Sequence, residues 1–99
     1  MAVIDLKKKF AGDGYLITSG EHDTTNIVCR YGHIYADGDS LVALHDAGTQ
    51  SQLRALKQLG TPIMDGDFGE LSVRVPLSRF RDIARILKPR QAAMVERAA

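Results

Sequence analysis

The stretch "ELSVRV" (70–75) sets Leu71, Val73 and Val75 against Glu70, Ser72 and Arg74 in strict alternation. Successive side chains on a strand point to opposite faces, so this period of two predicts a half-buried strand. "YLITS" (15–19), "NIVCRYGHIYA" (26–36), "SLVALHD" (40–46) and "TPIM" (61–64) also read as strands, being rich in β-branched, aromatic and aliphatic residues. Asp37-Gly38 separates the second and third of these. Asp-Gly between apolar runs is a strong hairpin signal, because the turn needs positive φ, which Gly supplies at no steric cost. A second hairpin is predicted around 65–69.

Elsewhere the period changes to that of a helix. Leu53, Leu56 and Leu59, with Ala55, form an apolar face in "AGTQSQLRALKQLGTP" (47–62). Thr49 and Gln52 have capping-box spacing, and Gly60 with Pro62 ends the run. In "PLSRFRDIARILK" (76–88), Leu77, Phe80, Ile83, Ala84 and Leu87 fall on one side of a second helix. Val3, Leu6 and Phe10 predict a short first helix, and "RQAAMVERAA" (90–99) a short last one after Pro89. The expected order is α-β-β-β-α-β-β-α-α. The expected fold is α+β: a small antiparallel sheet of hairpins with two main helices, 50–59 and 77–88, packed on one face. Residues 1–88 form the expected domain and 89–99 a basic, Ala-rich helical tail.

A hairpin turn at Asp37-Gly38 fixes a register. Tyr31 then faces Leu44, His33 faces Val42, Ile34 faces Leu41, and Arg30 faces His45. With 26–36 as one strand, one sheet face holds Ile27, Cys29, Tyr31, His33, Tyr35, Val42 and Leu44. The other holds Val28, Arg30, Ile34, Leu41, Ala43 and His45. Helices on one side leave a sheet face for a partner or a second copy, and residues such as Arg30, Ile34, Leu41 and His45, or their alternates, are expected there.

Composition narrows the class. With 99 residues, 44% apolar and 25% charged, the chain is an ordinary single globular domain. No apolar run reaches the roughly 18 residues of a membrane span. "MAVIDLKKKF" places its charges after its apolar residues, the reverse of a signal peptide. The single Cys29 excludes an internal disulfide and fits a reducing cytoplasm.

Charge adds a direction. Residues 1–50 carry four basic groups against seven acidic ones, whereas 71–99 carry seven basic against two. On the second helix, Arg81, Arg85 and Lys88 fall in one stripe at 100° per residue. Arg90 and Arg97 extend the positive region, and Asp82 has the spacing to pair with Arg79 or Arg85. Arg79, Arg81, Arg85, Lys88 and Arg90 are the candidate binding residues, for an acidic protein surface or for nucleic acid. "RDIARILKPRQAAMVERAA" (81–99) resembles a helix-turn-helix at Ala84, Leu87 and Met94. It departs from that motif at Lys88-Pro89 in the turn and at Arg97 in the second core, and no third helix follows.

Catalytic patterns are missing. On one strand Cys29 and His33 stand about 13 Å apart, too far for a thiol–imidazole pair. His22, His33 and His45 have no metal-ligand spacing, and neither a P-loop nor a Gly-rich dinucleotide motif occurs. Asp37 with Asp39 supply too few oxygens for a calcium loop, whereas Asp65, Asp67 and Glu70 place three carboxylates in six residues, which leaves a divalent ion as the alternative to a plain turn there although the calcium-loop pattern is missing. The expectation is a non-enzymatic binding or regulatory module acting through protein contacts, without metal or cofactor. The alternative is a nucleic-acid-binding protein using the basic helix. A homodimer is compatible with either.

Overall fold

The computed structural model of the chain describes residues 4–10, 12–19, 25–46, 48–65 and 70–91. Its elements are α1 (Leu6–Lys9), β1 (Ile17–Ser19), β2 (Thr25–Val28), β3 (Gly32–Asp37), β4 (Ser40–His45), α2 (Gln50–Leu59), β5 (Thr61–Asp65), β6 (Leu71–Pro76) and α3 (Phe80–Leu87). A 3-10 turn, Leu77–Arg79, leads into α3. The six strands form one antiparallel sheet in the order β1-β2-β3-β4-β6-β5. The fold is α+β, and the two main helices stand where the periodicity predicts them.

Each helix is set by local chemistry. Asp5 caps α1 by accepting from the amides of Lys7 and Lys8. Thr49 and Gln52 form the predicted reciprocal capping box of α2. Gly60 follows α2 in extended geometry, and its reason for being glycine is contact. A Cβ there would stand 1.9 Å from the Arg74 carbonyl oxygen, so a larger residue would push β5 off β6. In α3, Ile83 and Leu87 are fully buried while Arg81 and Arg85 are exposed.

The sheet has one covered face. Ile17, Ile27, Ile34, Ala43 and Val73 run in register across it, beside Ala36, Leu41 and Val75. Against these rows pack Leu6 and Phe10 from α1, Leu56 from α2, and Ile83 and Leu87 from α3. Each fully buried large side chain contributes on the order of 1.5–3 kcal/mol. Phe10, Tyr15 and Phe80 close one end as a ring cluster, with Phe10 and Phe80 centroids 4.3 Å apart.

Three expectations are corrected. The 26–36 run is two strands, reversed at Cys29–Gly32, where the Cys29 amide donates to the Gly32 carbonyl. Gly32 permits this because a Cβ there would lie 1.8 Å from the Leu44 carbonyl oxygen. The reversal brings Ile27 and Cys29 to the same face as Ile34, and Val28 to the face of His33 and Tyr35.

The first hairpin turns at Gly38-Asp39, one residue later than expected. Gly38 has φ of 62° and Asp39 does not share the positive φ, the arrangement of a turn with glycine first. Asp37 therefore pairs with Ser40, His33 with Leu44 and Ile34 with Ala43. Every partner moves by two positions, so which β3 and β4 residues share a face is unchanged. The face with Ile34, Leu41 and His45, expected to be open, is the one under the helices.

The third correction lies after α3. Pro89 bridges Cys29 and Gln91 bridges Tyr15, both antiparallel. The amide of Arg30 donates to the Lys88 carbonyl, that of Tyr31 to Leu87, and that of Arg90 to Val28. After the left-handed Lys88, residues 89–91 are thus stitched to the sheet. They do not begin the second helix of a helix-turn-helix, because Pro89 has no amide for a helical bond and the β2 end offers partners instead. Residues 92–99, where the last helix was expected, lie outside the described residues.

Candidate binding surface

All described helices lie over the same sheet face. The other face is composed of what alternates with the core. One row runs Val28, His33, Leu44, Ser72, and the next runs Asn26, Tyr35, Val42, Arg74, Thr61. Val28, Tyr35, Val42 and Leu44 do not belong to the apolar cluster beneath the helices. Val42 and Ser72 on this face are nonetheless buried, at 1% and 5% exposed. Tyr35, Leu44, Val28 and Asn26 are partly exposed, and Thr18 and Thr61 are exposed.

An ion pair and a histidine–carboxylate contact border this face. Arg74 holds Asp37 from the next strand but one, with both side chains half exposed. His33 Nδ1 lies 3.6 Å from Asp46 Oδ2, again with both partly exposed. Such pairs contribute about 0–1 kcal/mol each. Their effect is to position the His33 ring and the Arg74 guanidinium rather than to hold the fold.

The chain after α3 brings cations to the same face. Antiparallel pairing of Cys29 with Pro89 sets Arg90 opposite Val28 and Lys88 opposite Arg30. Cys29 points into the core, so its neighbours in the alternation point outward, and Arg30, Lys88 and Arg90 are all exposed. Lys88 has φ of 58° and ψ of 83° at the α3 C-cap, a left-handed conformation that costs a residue with a Cβ roughly 1–2 kcal/mol. Lys88 and Arg90 make no ion pair among the described residues.

The five predicted cations are therefore divided. Arg79 pairs with Asp82 at 3.5 Å, as the spacing allows. Arg81 and Arg85 stand on the exposed side of α3. Lys88 leaves the helical stripe through its left-handed backbone and, with Arg90, joins Arg30 at the sheet corner. The sequence puts His33 and Tyr35 on one face and Arg30 on the other, and does not join them with Arg74 as one surface. The alternation His33-Ile34-Tyr35 and Val73-Arg74-Val75 carried that signal for three of them. Nothing local signalled that 88–91 would meet 28–31.

The remaining candidates have structural roles. His45 is 1% exposed, and its Nε2 donates to Gln52 Oε1 at 3.1 Å, an oxygen that also accepts from the Thr49 amide. Cys29 is buried, its Sγ 3.6 Å from the Ile27 carbonyl. Burial pushes its thiol up to about 12 against a value of 9.0 for an ordinary cysteine, with Arg90 opposing and Asp46 adding. Asp37 and Asp39 belong to no metal-ligand group among the described residues. Asp67 and the side chain of Asp65, and so the second acidic loop, lie outside those residues, as does His22. A cleft of ≈ 470 Å³ near the first hairpin turn is lined by Asp39, Ser40, Thr61 and Arg74 with Leu59, Gly60, Pro76 and Leu77, and contains neither histidine nor thiol. Among the described residues no helix is long and apolar enough to cross a membrane.

The Cys29 thiol gives a direct prediction. The folded protein is expected to resist alkylation at pH 8, reacting only on unfolding, since the thiolate is the reactive form. Because the folded value is raised above the unfolded one, the contribution is intact below about pH 9 and is lost as pH rises toward 12. The Cys29→Ser variant should lack that alkaline decline, and an equal decline in both proteins would contradict the assignment.

No protein-family model matches this chain, and no curated protein or solved structure is detectably similar to it.

Proposed function

We propose that this chain is a non-enzymatic binding module whose working surface is the face of the sheet opposite the helices. The observation behind the reading is the placement of α1, α2 and α3 in one cluster on one face, with partly exposed apolar and aromatic side chains on the other. Contact with another protein, or with a second copy, would use Val28, Tyr35 and Leu44 as anchors. One buried cysteine suits a cytoplasmic setting for such a module.

Nucleic-acid binding is the second reading, and a specific observation favours it. Arg30, Lys88 and Arg90 meet at the end of this face through the 28–31 and 88–91 pairing. That gives the surface an excess of positive charge which α3 alone does not supply.

Affinity capture from the native host, with and without nuclease, compares the native chain with Tyr35→Ser. Material lost from the variant but kept by an Arg54→Gln control on α2 would support the sheet face. Equal capture by all three proteins would place the contact elsewhere.

A further inference from the structure

Resting on the second of these readings, we infer that the sheet face opposite the helices binds single-stranded nucleic acid, with bases on His33 and Tyr35 and phosphates on Arg30, Lys88 and Arg90. His33 and Tyr35 are consecutive outward residues of β3, and both are partly exposed. Aromatic rings on a protein surface stack unpaired bases with little sequence preference.

Spacing decides between single and double strands. The two residues are separated by about 7 Å along the strand. Neighbouring nucleotides in a duplex strand rise only about 3.4 Å. Two adjacent bases can therefore occupy the two rings only if the strand is unstacked and extended. Paired bases would also turn their edges, not their faces, toward a flat sheet.

Charge surrounds the rings on two sides. Arg74 lies one position across the sheet from Val42, beside Tyr35, and Arg90 lies beside Val28, next to His33. Beyond Arg90 stand Lys88 and Arg30, and the Arg30 guanidinium rests 5.4 Å above the Tyr31 ring, which packs against the core. Of the carboxylates on this side, Asp37 is paired with Arg74 and Asp46 lies beside His33, while Glu70, which shares the parity of Ser72 and Arg74, is exposed. Lys88 and Arg90 are exposed and make no ion pair among the described residues, which leaves them for phosphates. A docked protein would also gain from the apolar row, but the cluster of Arg30, Lys88 and Arg90 matches an anionic backbone.

The test is fluorescence anisotropy of a labelled oligo(dT), an oligo(U) and a random duplex at low and moderate salt. The single strands are expected to bind and the duplex to bind at least tenfold more weakly. Tyr35→Leu is expected to lower single-strand affinity about tenfold. Lys88→Gly removes a cation while relieving its backbone. It should weaken binding and reduce the salt slope by about 0.7 without lowering the melting temperature, so loss of fold cannot imitate the result. Equal affinity for duplex would overturn the single-strand assignment. Loss of binding in Arg81→Gln with Arg85→Gln, but not in Tyr35→Leu or Lys88→Gly, would overturn the sheet-face site and leave binding along α3 standing. No binding of any oligonucleotide at low salt would overturn both, and nuclease-resistant capture of a protein through Tyr35 would then assign the face to protein contact.

Discussion

Gly32→Ala is expected to cost roughly 3 kcal/mol, near the upper end for forcing atoms into a packed site. The melting temperature should fall by roughly 12–24 °C for a domain of this size. The Cβ of an alanine would stand 1.8 Å from the Leu44 carbonyl oxygen and 2.8 Å from its carbon. Backbone cannot swing aside as a flexible side chain can, so the β3–β4 ladder must open or the Cys29–Gly32 reversal must unwind. Either change disturbs His33 and Tyr35 as well, and affinity for the ligand of the open face should fall with stability. Thermal melts of Gly32→Ala beside Gly12→Ala provide the check, since a Cβ at Gly12 meets nothing within 4 Å. Similar melting of the two variants would contradict the β3–β4 packing.

Leu87→Ala is the second large effect. Leu87 is fully buried where α3 ends, and truncating such a leucine costs about 2–5 kcal/mol, according to how far the cavity collapses. The position carries a further consequence. The Leu87 carbonyl accepts from the Tyr31 amide, and the next residues hold Arg30 and Arg90 through Lys88 and Val28. Amide exchange at Arg30, Tyr31 and Arg90 should accelerate more than at Ala43 or Val73 in the sheet centre. Uniform acceleration through the chain would mean that the corner is not separately anchored by Leu87.

Much of this architecture is legible in the residues. Thr49 and Gln52 announce their capping box, and Leu71-Val73-Val75 announce their face, because both depend on neighbours close in sequence. The α3 apolar side is equally clear from Leu77, Phe80, Ile83 and Leu87. The reversal at Cys29–Gly32 is concealed. Residues 26–36 are continuously strand-like, and Gly32 reveals its purpose only once Leu44 is seen against it.

The binding surface was legible in part. The two faces of β3 and β4 follow from parity, which the displaced turn at Gly38-Asp39 preserves. Which of them the helices would cover does not follow from parity, and Ile34 with Leu41 as the covered side emerges only with the packing. The spacing of Arg81, Arg85 and Lys88 predicts one helical edge. Lys88 breaks it, since its left-handed backbone and Pro89 redirect the chain to β2, a contact some 60 residues distant in sequence that periodicity cannot signal.

The open face as working surface is tested most directly by nuclear magnetic resonance titration of the isotope-labelled chain with oligo(dT). The account predicts amide shifts concentrated at Val28, His33, Tyr35, Leu44, Arg74 and Arg90, with α2 residues such as Arg54 unchanged. Shifts confined to Arg81 and Arg85 on α3, or a spectrum that does not move at low salt, would contradict it.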